Sequence, residues 1–115
     1  MIVFDSGALI GLEKGNAKAI AAIEYANRNK IEIIIPASVL VQYWRNSPRQ
    51  HAVSRLLKSR TVRVVDLTES HAYAVGAVLA ATGSADVVDA HVIVLARALR
   101  ATLVVTSDPE FSDRL

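Results

Sequence analysis

The sequence contains no cysteine, which excludes disulfide frameworks, thiolate metal sites and a cysteine nucleophile, and fits a reducing compartment. It has no apolar run of the roughly 18 residues that a membrane helix needs. Its opening, Met1-Ile2-Val3-Phe4-Asp5, reaches a carboxylate without the basic and long apolar segments of a secretory leader. The expected location is cytoplasmic, with no membrane. No glycine-rich turn follows Phe4, which speaks against a dinucleotide-binding unit. Internal repeats, low-complexity tracts and linkers are missing as well. Nor is there a large excess of charge of one sign: 13 Lys and Arg stand against 11 Asp and Glu, a formal net charge of +2. Composition therefore permits nucleic-acid contact without demanding it, and the distribution of charge has to decide.

What is present is apolar material, 52% of 115 residues. That is enough for one core, and residues 1–115 are expected to form a single domain. Short β-branched runs at 2–4, 31–35, 61–65 and 102–106 are too short for helices and too apolar on both faces for half-exposed strands, so they read as buried parallel strands. Between them, Ala- and Leu-rich segments with helical spacing cover 8–14, 17–29, 37–45, 50–59, 70–82 and 87–100. Gly15-Asn16, Pro36 and Thr82-Gly83-Ser84 supply the breaks. Strands alternating with helices predict an α/β fold, a three-layer α/β/α sandwich around a central parallel sheet with right-handed crossovers. Residues 107–115 are short and polar and offer no closing element, which leaves a fifth strand in question.

In open parallel sheets ligands bind beyond the carboxyl ends of the strands. Asp5 follows the first strand, Asp66 the third, and Asp108 the fourth within Thr106-Ser107-Asp108-Pro109. Asp86 and Asp89, three residues apart in Ser84-Ala85-Asp86-Val87-Val88-Asp89-Ala90-His91, share nearly one face at the start of the last helix. If the first and fourth strands are neighbours, Asp5 and Asp108 converge and the helix start adds Asp89. Carboxylates brought together repel unless a hard cation neutralises them, and ligands that are all oxygen favour Mg2+ or Mn2+. Such a cation supports phosphodiester hydrolysis without a protein nucleophile. Each acid also has a plain structural account. Asp86 serves as an N-cap, Asp66 and Asp108 as turn residues, and His91 as a helix-surface or core-edge histidine. Asp5 resists that account most, because a carboxylate abutting a buried strand is costly unless paired or metal-bound. A phosphotransfer enzyme of the Asp-x-Asp type is disfavoured by Asp5-Ser6-Gly7, and a phospho-receiver domain by Pro109 after Asp108.

Taken together, Ile2-Val3-Phe4-Asp5-Ser6-Gly7-Ala8-Leu9-Ile10, Asp86-Val87-Val88-Asp89-Ala90-His91-Val92-Ile93-Val94-Leu95-Ala96 and Val104-Val105-Thr106-Ser107-Asp108-Pro109 resemble the three recurrent blocks of PIN domains, in order and in separation. Within that family the chain is similar to the VapC branch, the toxins of type II VapBC toxin–antitoxin systems. The resemblance implies Mg2+- or Mn2+-dependent endoribonuclease activity on RNA, homodimerisation, and inhibition by a cognate VapB-type antitoxin. Carried over by position, it makes Asp5, Asp89 and Asp108 the metal-binding catalytic acids, with Thr106 orienting the site, Ser6 contacting it and Asp86 a supporting carboxylate.

The chain departs from the family at Gln42, in Pro36-Ala37-Ser38-Val39-Leu40-Val41-Gln42-Tyr43-Trp44-Arg45, where a Glu is usual. An amide keeps the oxygen and loses the charge, so metal affinity should fall. The departure leaves an alternative open: a PIN-like RNA- or protein-binding module with weakened or lost catalysis. Arg45, Arg49, Arg55, Lys58, Arg60 and Arg63 make the next stretch basic. Arg45 and Arg49, near Tyr43 and Trp44 beside the presumed cleft, are the expected RNA contacts. Lys58 and Arg60 read as a solvated face, and Trp44 as either a packing residue or an antitoxin contact.

Overall fold

Ile33, Ile34 and Ile35 stand side by side with no exposed surface at all. Consecutive apolar residues can all be buried in a strand only when both faces of the sheet are covered. In the computed structural model of the chain, which describes residues 1–106, this is the situation of β1 (Ile2–Phe4) and β2 (Ile33–Pro36), both buried along their length. With β3 (Val62–Val65) and β4 (Leu103–Val105) they form a four-stranded parallel sheet in the order β3-β2-β1-β4. The first and fourth strands are neighbours, with Phe4 opposite Val105. Strand order reverses at β1, since β2 and β3 lie to one side and β4 to the other.

Among the described residues six α-helices flank the sheet as the outer layers of an α/β/α sandwich: α1 (Ser6–Glu13), α2 (Ala17–Asn29), α3 (Ala37–Tyr43), α4 (His51–Leu57), α5 (Glu69–Thr82) and α6 (Val87–Ala98). Their ends follow local chemistry. Asn16 starts α2 by accepting the amides of Lys18 and Ala19 at 2.9 and 3.2 Å, and Gly83 stops α5 in the left-handed region at φ 70°. Helix α6 lies against β1 and β2, and α5 packs on α6. No single helix among the described residues is long and apolar enough to cross a membrane.

Two expectations need correction. Strand β3 is not buried: Arg63 and Val64 are exposed, because β3 has β2 as its one neighbour in the order and forms an edge. Its Arg63 reaches across to Glu32, with Nη2 at 3.1 Å from Oε1 and Nε at 3.3 Å from Oε2. An exposed pair of this kind adds little stability. The third and fourth helices are also shorter than their composition suggests. Trp44 turns extended, at φ −72° and ψ 129°, and the buried side chain of Gln50 takes over the backbone partners that a longer helix would have used. Its Nε2 donates to the Tyr43 carbonyl at 2.8 Å and its Oε1 accepts from the Arg45 amide at 3.0 Å. Ser47 and Gln50 then form a reciprocal cap that opens a single 3-10 turn, Pro48–Gln50, before α4.

Candidate active site

The reversal of strand order at β1 and β4 makes their carboxyl ends the place where a ligand fits in a sheet of this kind. Asp5 is the first residue beyond β1. Its amide donates to the Val105 carbonyl of β4 at 3.2 Å, and its Oδ1 accepts the Ala8 amide of α1 at 2.8 Å. The same residue thus closes a strand, caps a helix and carries a carboxylate, at 7% exposure. A carboxylate so stripped of water is favoured by the bond from the Ala8 amide and by the helix dipole.

From the β2 side comes α3. Its Gln42 Oε1 accepts the Ser6 hydroxyl at 2.5 Å, so two positions that the sequence links to the same chemistry meet directly, next to Asp5. The bond takes up one lone pair of an uncharged oxygen and so reduces what Gln42 can offer a cation. Tyr43 fixes the same helix from below: its hydroxyl donates to Glu13 Oε1 at 2.9 Å. Burial, then this bond to Glu13, raise the phenol's pKa and keep it protonated.

Helix α6 leads into β4, which pairs with β1, and its first turn lies against α5, where Asp86 and Asp89 line a small cleft with Val78, Leu79 and Thr82. Asp86 is its N-cap, with Oδ1 accepting the Asp89 amide at 3.0 Å. Asp86 and Asp89 are both exposed. His91, expected at a surface or core edge, is instead completely buried. Its Nδ1 shares a hydrogen bond of 2.6 Å with the Ser38 hydroxyl, tying α6 to the first turn of α3, while Nε2 has no hydrogen-bond partner. Burial, then the neighbouring His71, lower its pKa, so the ring is neutral at neutral pH. Helical spacing carried the signal: His91 stands four residues before Leu95, within the buried stripe of α6.

From the β4 side come Thr106 and a residue that spacing did not single out. Thr106 is buried, and its carbonyl accepts Lys18 Nζ at 3.1 Å. Lys18 belongs to the first turn of α2, 88 residues away in sequence, and no sequence pattern joins the two. A small cleft of about 190 Å3 lies here, lined by Gly7, Ala8 and Gly11 of α1 together with Lys18, Val105 and Thr106.

The remaining expected positions are less concentrated. Arg45 folds back on the end of α3, its Nη1 donating to the carbonyls of Val41 and Trp44 at 3.1 and 2.7 Å. Arg49 is exposed on the 3-10 turn, and Trp44 is 38% exposed. Asp108 lies outside the described residues. Among those described, no three His, Cys, Asp or Glu side chains form a metal-holding group. The candidate donors, the Asp5 and Asp89 carboxylates and the Gln42 amide, are all oxygen, which suits a hard cation.

Among curated proteins none matches the sequence. The fold has a clear counterpart in VapC20 of Mycobacterium tuberculosis, a sarcin–ricin loop cleaving toxin. The two superpose with a TM-score of 0.77 at 19% identity, over 99% of this chain and 95% of that one. The PIN domain model matches residues 2–114. With the parallel sheet, the order reversal at β1 and a buried Asp at the end of that strand, this match over nearly the whole length places the chain in the PIN domain family.

Proposed function

We propose that this PIN domain, spanning residues 1–115, is a metal-dependent endoribonuclease and the toxin of a type II toxin–antitoxin pair. The observation that carries the reading is the buried carboxylate of Asp5 at the β1–β4 switch point of a PIN fold. Asp5, Asp89 and Asp108 would hold Mg2+ or Mn2+. When bound, the cation supplies Lewis acidity toward a phosphodiester and a water acidic enough to attack it at neutral pH. The protein's own part is positional. The Ala8 amide fixes the Asp5 carboxylate, the Ser6–Gln42 bond sets α3 against α1, and the Ser38–His91 bond sets α6 against α3. Asp86 stiffens the turn that presents Asp89, and Thr106 closes the β4 side. Arg45 and Arg49 would take RNA phosphates beyond the cleft.

A VapB-type antitoxin is the proposed inhibitor, and a homodimer the proposed working form. Support for association comes from α5. Val75 is its one buried residue, while Ala72, Tyr73, Gly76, Ala77 and Ala80 leave an apolar face in solvent. The second reading, a binding module without catalysis, is favoured by one observation, the engagement of the Gln42 oxygen by Ser6. Incubating the protein with total cellular RNA and Mg2+ or Mn2+ separates the two. Discrete cleavage that disappears in EDTA and in Asp89→Ala is the expected result. Folded protein that binds the metal and RNA but leaves the RNA intact would establish the binding module.

A further inference from the structure

Among the described residues Lys18 stands out as the one charged residue lining the small cleft between α1, α2 and the end of β4. Its position is built. The first turn of α2 is fixed by the Asn16 cap, the ammonium is tethered to the Thr106 carbonyl at 3.1 Å, and the residue also lines a groove with Ala22, Tyr25, Leu103 and Val105. Tethering takes one of the three ammonium protons and leaves two for another acceptor. Close approach of α1 and α2 shapes the cleft. A Cβ on Gly11 would stand 3.3 Å from Asn16 Cβ, a tight contact, so glycine eases the approach of α1 to the start of α2. Thr106 and Asp5 follow adjacent parallel strands, about 4.8 Å apart, and the cation is therefore close to the proposed cutting site but not part of its acid cluster.

We infer that Lys18 binds a phosphate of the RNA neighbouring the one that is cut, in the cleft lined by Gly7, Gly11 and Thr106. The inference rests on the nuclease reading and deepens it. A polyanion approaching Asp5 and Asp89 is repelled wherever metal does not compensate, and Lys18 offsets that repulsion on the β4 side. Lys18 is exposed, and its bond to the Thr106 carbonyl holds the ammonium at the cleft, which lowers the side-chain entropy lost when a phosphate binds. Lys18 thus positions substrate and takes no part in bond breaking.

The test is binding of a labelled single-stranded RNA of about twelve nucleotides, followed by fluorescence anisotropy in EDTA across a salt series. The proteins compared are wild type, Lys18→Ala, Lys18→Gln, Lys18→Arg and, as a distant control, Lys58→Gln. Loss of one phosphate contact should weaken binding roughly 3- to 10-fold and reduce the slope of log K against log salt by about 0.7. Lys18→Ala and Lys18→Gln should both show this, whereas Lys18→Arg and Lys58→Gln stay near wild type. In Mg2+, KM for RNA should rise by the same factor with kcat unchanged. Glutamine can still donate to the Thr106 carbonyl, so a glutamine variant that binds like wild type while alanine does not would reduce Lys18 to a structural tether and overturn the inference. Wild type that cuts RNA while both neutral variants keep its affinity and slope overturns the inference and spares the nuclease. Wild type that neither binds nor cuts RNA overturns both.

Discussion

Asp5 and Asp86 are the same local device in two places. Each stands before a helix in extended backbone and accepts the amide three residues on, at 2.8 Å for Asp5 and 3.0 Å for Asp86. What separates them is everything beyond the turn. Asp5 is 7% exposed, bonded through its amide to β4, and set where strand order reverses. Asp86 is exposed at the turn between α5 and α6 and can shed or regain water at little cost. Capping alone explains Asp86. It does not explain why a carboxylate should be kept beside a fully buried strand, where an asparagine would cap as well without the cost of burying charge.

Asparagine therefore breaks the comparison. Asp5→Asn preserves the acceptor for the Ala8 amide and should leave the thermal midpoint within a few degrees, yet abolish RNA cleavage by more than about 100-fold, since even partners of metal ligands cost 10–100-fold. Asp86→Asn should keep both the midpoint and most of the activity. Equal losses in the two variants would show that capping, and not the charge at the switch point, is what matters.

A smaller effect is expected from restoring charge on the β2 side. Gln42→Glu adds an anionic oxygen beside Ser6 and should tighten Mn2+ binding by roughly 10-fold, measured by isothermal titration, with a parallel rise in cleavage at limiting metal. An unchanged metal affinity would place the Gln42 side chain outside the metal's reach. The smallest effect concerns stability. His91 has its pKa held below the ordinary 6.5 by burial and by His71. As pH falls below about 6.5 the unfolded chain takes up a proton that the native state refuses, so stability present above that pH is lost as the folded pKa is approached. Melting at about pH 5.5 should fall below that at about pH 7.5, and His91→Asn should flatten the difference. Parallel curves for the two proteins would assign the acid sensitivity elsewhere.

Much of this architecture can be read from residues in order. The apolar run of Ile33, Ile34 and Ile35 has no polar face and so requires a covered strand, and the break at Gly83 with the acid at Asp86 marks one helix ending and another beginning. The alternation of such runs specifies a parallel sheet with helices outside it. Where the structure departs from local pattern, the cause is contact at a distance. Nothing local tells Val62–Val65 that it will sit at the sheet's edge, and nothing in Tyr43-Trp44-Arg45 announces that Gln50 will capture their backbone groups. His91, a polar residue in an apolar stripe, reads as a boundary, but Ser38 on another helix supplies the partner that allows it to be buried.

The sequence by itself determined the element order, the sandwich and the identity of the acids at strand and helix ends, because periodicity, capping and turn chemistry act over a few residues. Tertiary structure alone decided which of those ends share an edge. It set β4 beside β1, buried Asp5 while leaving Asp86 in water, joined Ser6 to Gln42, and brought Lys18 to Thr106. The physical reason is that desolvation and long-range hydrogen bonding depend on what packs from elsewhere in the chain, and a side chain's neighbours in sequence do not encode that.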